Sequence, residues 1–202
     1  MAGWEKYAYL AGTWALWCGL HSLLLWEPLR QRLEKALGFR ASVYRLHFSL
    51  LALLSLAPVA YYTRQSGGLT GFFWPWPWLG LQAPLWLAGL ALFGWALISF
   101  QRGGVDLAGW QGAVAGSDRT PHLVTGGAYG LVRHPMHLAA LIMIWARHLT
   151  TADLIINSVL TAYLFLGGIH EERRLYRMFG AAYQEYARRV PYLVPRLKLG
   201  SG

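Results

Sequence analysis

The stretch Asp153-Leu-Ile-Ile-Asn-Ser-Val-Leu-Thr-Ala-Tyr-Leu-Phe-Leu-Gly-Gly-Ile169 runs directly into His170-Glu171-Glu172, and that junction decides how the chain is read. From Thr161 to Ile169 no residue carries a charge, as lipid requires, and then two carboxylates follow. Ionisable groups at the edge of an apolar span are costly enough to point to a function rather than to packing. About 36 residues upstream, Tyr129-Gly-Leu-Val-Arg-His-Pro135 places Arg133 and His134 beside another apolar run. The two segments read as halves of one polar site.

Working outward, composition sets the solvent. Hydrophobic residues make up 55% of the 202, charged residues only 13%, and the mean hydropathy is +0.32, which is the composition of an integral membrane protein. Five apolar segments follow: residues 7–26, 43–62, 79–100, 137–146 and 153–169. The first three are long enough to cross a hydrocarbon core of about 30 Å at about 1.5 Å per residue. The last two are shorter and flank the polar break Arg147-His-Leu-Thr-Thr-Ala-Asp153, which predicts a short helical hairpin that either crosses or re-enters. The expected fold class is all-α, a polytopic membrane helical bundle of about five transmembrane segments with a C-terminal amphipathic helix.

Charge orients the chain. Five spans with the N-terminus outside put fifteen of the eighteen Lys and Arg on one side, leaving Lys6, Arg64 and Arg147 opposite. Positive loops stay cytoplasmic, so the C-terminus is expected in the cytoplasm and the bacterial inner membrane is the expected location. The net charge of +9 is then explained by topology and by anionic membrane lipids, with no nucleic-acid partner. Cys18, the one cysteine, allows neither an intramolecular disulfide nor a multi-cysteine metal site. The first span lacks the basic start of a cleavable signal and reads as an anchor.

No repeat or linker divides the chain, so residues 1–202 are expected to form one domain, with 1–100 as a helical anchor and 101–195 carrying cofactor binding and catalysis. Phe73-Trp-Pro-Trp-Pro-Trp78 reads as an interfacial aromatic belt. Residues 101–121, including Val105-Asp-Leu-Ala-Gly109, read as a cytoplasmic covering loop, and the tail after Pro195 as frayed. Between Glu172 and Val190, apolar or aromatic residues at Leu175, Tyr176, Phe179, Tyr183, Tyr186 and Val190 have helical spacing, with arginines elsewhere. That predicts an amphipathic helix on the membrane surface, kinked or divided at Gly180 and stopped by Pro191.

Pro135 disfavours helical geometry at His134, so Arg133 and His134 should occupy a bent entry to the fourth segment, with His137 on its first turn. Arg133 can grip a carboxylate with two parallel bonds, aided by the free amides of the helix start. Adjacent helical residues point about 100° apart, so one of Glu171 and Glu172 can face a pocket while the other meets Arg133, Arg174 or water. The seven histidines include His134 and His137, a weak zinc signature without a matching carboxylate, and no metal is expected. His21 and His47 are expected to be buried, hydrogen-bonded histidines, with a bis-histidine haem protein, or an accessory membrane protein, as the alternative class. Gly103-Gly104 and Gly126-Gly127 lack the strand–turn–helix context of a dinucleotide site.

With these residues assembled, the pattern His122-Leu-Val-Thr-Gly-Gly-Ala-Tyr129, Arg133-His-Pro135, Glu171-Glu-Arg-Arg-Leu175, Phe179-Gly180, Tyr183, Tyr186 and Val190-Pro191 resembles the isoprenylcysteine carboxyl methyltransferase and phospholipid methyltransferase group of membrane enzymes. The resemblance covers residues 101–195. It is closer still to bacterial methanethiol S-methyltransferases and to the related membrane family linked to nitrite and nitric oxide metabolism, through Val105–Gly109, Trp145 before the break, and the Glu-Glu-Arg and Arg-Arg-Val-Pro191 segments. It implies S-adenosylmethionine as cofactor, with His122, Leu123, Val124, Tyr129, His134, Pro135 and His137 lining its site and Glu171 and Glu172 closing it. It also implies a small or lipophilic thiol as acceptor, with an isoprenylcysteine carboxylate or a phospholipid headgroup as alternatives.

Two departures bear on substrate. His137 stands where such enzymes carry tyrosine, and Gly167 stands where prenylcysteine enzymes carry arginine, which weighs against a carboxylate acceptor. The expected catalytic residues are Glu171, Arg133 and His134. Glu171 serves as base or cation stabiliser, and His134 or His137 are alternatives for the base.

Overall fold

In the computed structural model, residues 3–38, 41–66, 71–72, 79–103 and 122–196 are described. The aromatic segment 73–78, most of the loop 101–121 including Val105–Gly109, and the tail from residue 197 lie outside them. Among the described residues the regular secondary structure is helical apart from two strands of two residues each, as the apolar segments predict.

The chain forms two compact units, Met1–Phe73 with His148–Tyr163, and Trp74–Arg147 with Leu164–Gly202. The first holds α1 (Glu5–Leu25), α2 (Glu27–Leu37), α3 (Ala41–Gln65) and the antiparallel pair β1 (Gly71–Phe72) and β2 (Leu149–Thr150). Its core is Leu10, Ala152 and Ile156, packed by Tyr7, Trp14, Tyr62 and Leu160. Single neutral hydrogen bonds tie α1 to α3: the Trp14 indole donates to Thr63 Oγ1 at 3.0 Å, and the Trp17 indole to Ser55 Oγ at 3.1 Å. α2 begins with Pro28 in its first turn, where the missing amide costs nothing, and ends on Gly38 at φ +65°.

The second unit holds α4 (Leu79–Arg102), α5 (Ala128–Leu131), α6 (Pro135–Trp145) and α8 (Ala181–Arg189). The long α7 (Thr151–Phe179) supplies its first half to the first unit and its second half to the second. α7 starts where Asp153 Oδ2 accepts bonds from the Thr150 amide at 2.9 Å and hydroxyl at 2.8 Å. α4 and α6 pack closely through small residues, with Gly89, Ala96 and Ala139 all buried. A Cβ at Gly89 would stand 2.8 Å from Met143 Cγ, so only glycine permits this approach.

Helix lengths refine the expected spans. α1, α4 and α7 are long and apolar enough to cross a membrane. α3, with 25 residues, has the length. Arg45, His47, Tyr61, Tyr62 and Arg64 make it more polar. α6 has only 11 residues, about 16 Å of helix and so about half of a hydrocarbon core by itself, and the extended strand β2 follows it. The fifth segment is longer than its apolar stretch, because α7 continues through Glu171-Glu172-Arg173-Arg174 to Phe179 in 29 unbroken residues. Accordingly, the helix expected over residues 172–190 is two helices. Gly180, at φ +52°, divides them in a backbone conformation that other residues rarely adopt.

Candidate active site

The site forms where the entry to α6, the second half of α7, and α8 meet in the second unit. His134 precedes α6 with φ −122° and ψ 64°, non-helical as Pro135 demands. Its backbone and that of Arg133 pair with the segment after α8: the Arg133 amide donates to Pro191 O at 2.9 Å and the His134 amide to Tyr192 O at 3.2 Å.

Arg133 is the central link. Its Nε donates to Glu172 Oε1 at 2.6 Å and its Nη2 to Glu172 Oε2 at 3.0 Å, the paired geometry that suits guanidinium and carboxylate. Its Nη1 donates to Ala187 O at 2.8 Å and Val190 O at 2.9 Å, serving carbonyls at the end of α8 where a cation is favoured. The carboxylate grip expected of Arg133 toward a ligand is thus made within the chain, to Glu172. Tyr183, fully buried, adds its hydroxyl to Glu172 Oε1 at 2.9 Å. Burial first, and then the Glu172 carboxylate, push the Tyr183 phenol far above its ordinary range.

His134 bridges both glutamates, with Nε2 3.2 Å from Glu172 Oε1 and Nδ1 3.4 Å from Glu171 Oε2. Burial alone would lower its pKa, but the two carboxylates outweigh burial and raise it above 6.5. A cationic ring with both nitrogens donating satisfies both carboxylates. The His137 ring lies parallel to it, centroids 5.1 Å apart.

The two glutamates therefore divide. The Glu172 side chain is 16% exposed and tied to Arg133, His134 and Tyr183, whereas Glu171 is 38% exposed and lines a cavity of about 100 Å³. That cavity is lined by every residue the sequence nominated, Glu172 excepted: His122, Leu123, Val124, Tyr129, Arg133, His134, Pro135, His137 and Glu171. Phe100, Met136, Leu175, Phe179, Tyr183 and Tyr186 complete it. Tyr183 and Tyr186 had a membrane-facing reading in the sequence, yet both are buried, and the Tyr186 hydroxyl donates to Tyr129 O at 2.7 Å. Their signal was present as aromatic residues of helical spacing, but that spacing does not say whether protein or lipid covers the face. α5 is joined to α4 where the Ala128 amide donates to Ser99 Oγ at 3.1 Å.

The other histidines stand apart from this cluster. In the first unit His21 is stacked on Trp17 at 5.2 Å and lies 4.8 Å from the Phe48 ring, but its buried Nδ1 has no hydrogen-bond partner among the described residues, and His47, expected to be buried, is exposed on α3. His170 is exposed on α7.

Fold and site together define the class: an all-α integral membrane protein carrying a charged, partly enclosed cluster at the polar end of an apolar helix. The chain belongs to the NnrU protein family, which matches residues 9–196. It is 37% identical over 146 residues to methanethiol S-methyltransferase 2 of Bradyrhizobium diazoefficiens, covering 60% of this chain and 54% of that protein. It is 31% identical over 138 residues to methanethiol S-methyltransferase 1 of the same organism, covering 59% and 48%. The methanethiol S-methyltransferase of Pseudomonas deceptionensis is 33% identical over 138 residues, covering 68% and 48%. The chain spans about half the length of these relatives. No solved structure matches it significantly.

Proposed function

We propose that this protein is a membrane methyltransferase that uses S-adenosylmethionine to methylate a small or lipophilic thiol. The observation that carries the reading is Glu171: a carboxylate left outside the arginine pair, facing a cavity walled by aromatic and apolar side chains. The names of the relatives supply the reaction class. The orientation consistent with the basic residues puts the site and the C-terminus on the cytoplasmic side of the inner membrane.

The residues present fit the reacting end of such a cofactor, which is a cation among apolar groups. Glu171 offers the countercharge, and the rings of Phe100, Tyr129 and Tyr186 offer faces for a sulfonium. The enclosed 100 Å³ is below the roughly 300–1,000 Å³ of whole small-molecule sites, so these side chains account for the reacting centre only. When bound, S-adenosylmethionine supplies an electrophilic methyl group on a sulfonium sulfur.

The chain's own groups then position, deprotonate and exclude water. A thiol of pKa about 8.5 or above must lose its proton before it attacks. His134 is held by both carboxylates, and Glu171 is needed as countercharge. His137 lines the cavity with no hydrogen bond to the described residues, so it accepts the thiol proton. Arg133 and Glu172 position His134 and α8. Apolar walls at Leu123, Val124, Met136 and Phe179 keep the site dry, which favours charge neutralisation as a thiolate meets the sulfonium.

Calorimetric titration of detergent-purified protein with S-adenosylhomocysteine, paired with detection of dimethyl sulfide from methanethiol, tests the proposal. Saturable binding and methyl transfer are expected, with Glu171→Gln folded but nearly inactive. A folded protein that neither binds nor methylates would overturn the reading, and wild-type turnover in Glu171→Gln would remove Glu171 from its role.

A further inference from the structure

Tyr192, which no sequence motif singles out, occupies the space between the histidine pair and the outer face of α7. Its ring is tilted against His134 with centroids 4.7 Å apart, and the Arg133 guanidinium lies 5.7 Å from the ring centre. On the other side the ring meets Phe165 edge-on at 5.4 Å, and its hydroxyl donates to Phe165 O at 3.1 Å. Phe165 and Leu166 are 51% and 65% exposed on an apolar helix, so this is a face turned toward lipid.

Gly168 makes that position available. A Cβ there would collide with the Tyr192 hydroxyl and would stand 3.4 Å from His137 Nδ1. One missing methyl thus lets the phenol lie flush against α7 beside His137. Backbone bonds from Arg133 and His134 to Pro191 and Tyr192 hold the segment in place, so the ring is part of a fixed wall.

We propose that Tyr192 is the specificity-determining wall of the acceptor site, restricting the acceptor to thiols whose carbon chain is short. This rests on the thiol methyltransferase reading. Tyr192 stands behind the histidine pair rather than among the residues lining the cavity, so an acceptor whose sulfur is within reach of His137 and whose chain leaves toward lipid meets the phenol ring. A methyl group needs none of the ring's volume, whereas a chain of several carbons needs much of it. Each methylene that a pocket accepts or rejects changes selectivity by about tenfold or more.

The test compares kcat/KM for methanethiol, butanethiol and octanethiol in the wild type and Tyr192→Ala, with S-adenosylhomocysteine affinity measured alongside. The octanethiol-to-methanethiol ratio should rise by about tenfold or more in Tyr192→Ala, with affinity for S-adenosylhomocysteine retained. An unchanged ratio, or an equal loss for every thiol, would show that Tyr192 only braces the fold and would overturn the wall. If Tyr192→Ala does not fold, Gly168→Ala displaces the hydroxyl while keeping the ring. It should raise the ratio less, and adding Tyr192→Phe should restore short-chain selectivity.

A wild type that methylates no thiol refutes the underlying reading, and a separate readout still decides the wall. In a Cys18→Ser, His137→Cys background, labelling by N-dodecylmaleimide relative to N-ethylmaleimide should rise when Tyr192→Ala is added. An unchanged ratio overturns the proposal.

Discussion

The two units solve the same problem, holding helices together where apolar packing has little to push against, with different chemistry. In the first, α1 and α3 are joined by separate bonds between neutral side chains, Trp14 to Thr63 and Trp17 to Ser55. In the second, Arg133, His134, Glu171, Glu172 and Tyr183 form one connected ionic cluster. Isolated neutral bonds can be lost one at a time at a modest cost each. The Arg133–Glu172 pair at the centre of the cluster cannot, because removing either partner leaves a partly buried charge short of compensation. Such a cluster is a poor way to gain stability alone, and that is the physical ground for reading it as a site.

Breaking the cluster should therefore have the largest effect. Arg133→Ala removes both bonds to Glu172 and both to the end of α8, and a loss of about 3 kcal/mol is expected, the low end for breaking a buried ion pair, because Glu172 is only partly buried and keeps His134 and Tyr183. Thermal unfolding in detergent measures it, and a change as small as that of a surface mutation would show that the cluster is not what holds α8.

The next effect is a pH dependence. The folded pKa of His134 is raised above its ordinary 6.5, so its contribution is fully present below that value and is lost as pH rises through the folded pKa. As pH rises from about 6.5 through the raised folded pKa, the wild type should lose stability. His134→Asn should show a flat profile over the same range, and parallel melting curves for the two proteins would remove His134 as the cation.

In the first unit Trp17→Phe deletes one neutral bond to Ser55, with an expected cost of about 0.5–1.5 kcal/mol. A cost matching that of Arg133→Ala would erase the contrast between the units. Smallest in stability is Glu171→Gln, within about 0.5 kcal/mol of wild type because Glu171 is the more exposed carboxylate, even though it should nearly abolish methyl transfer. Similar destabilisation by Glu171→Gln and Glu172→Gln would merge the roles that the structure separates.

The helical membrane fold was legible in the runs of apolar residues, and the bent entry at Arg133-His134 in the single fact of Pro135. The pairing of that entry with Glu171-Glu172 was legible because charges beside apolar runs are few. Less legible was the end of α7: an apolar stretch stops at Ile169, but backbone hydrogen bonding carries the helix through four charged residues to Gly180. The inward burial of Tyr183 and Tyr186 was hidden for a related reason, since lipid and protein interior both accept an aromatic face.

By itself, the sequence determined that this chain lives in a membrane, where its apolar helical segments lie, and which ionisable residues had to find one another. Those follow from local costs, the price of charge in lipid and of proline in a helix, which act wherever the residue sits. Only the tertiary structure decided that Arg133 serves Glu172 rather than a ligand, that Glu171 is the carboxylate left to the cavity, and that Tyr192 lies over Gly168. These are assignments among chemically equivalent partners, and distance in three dimensions, which residue spacing along the chain does not carry, chooses between them.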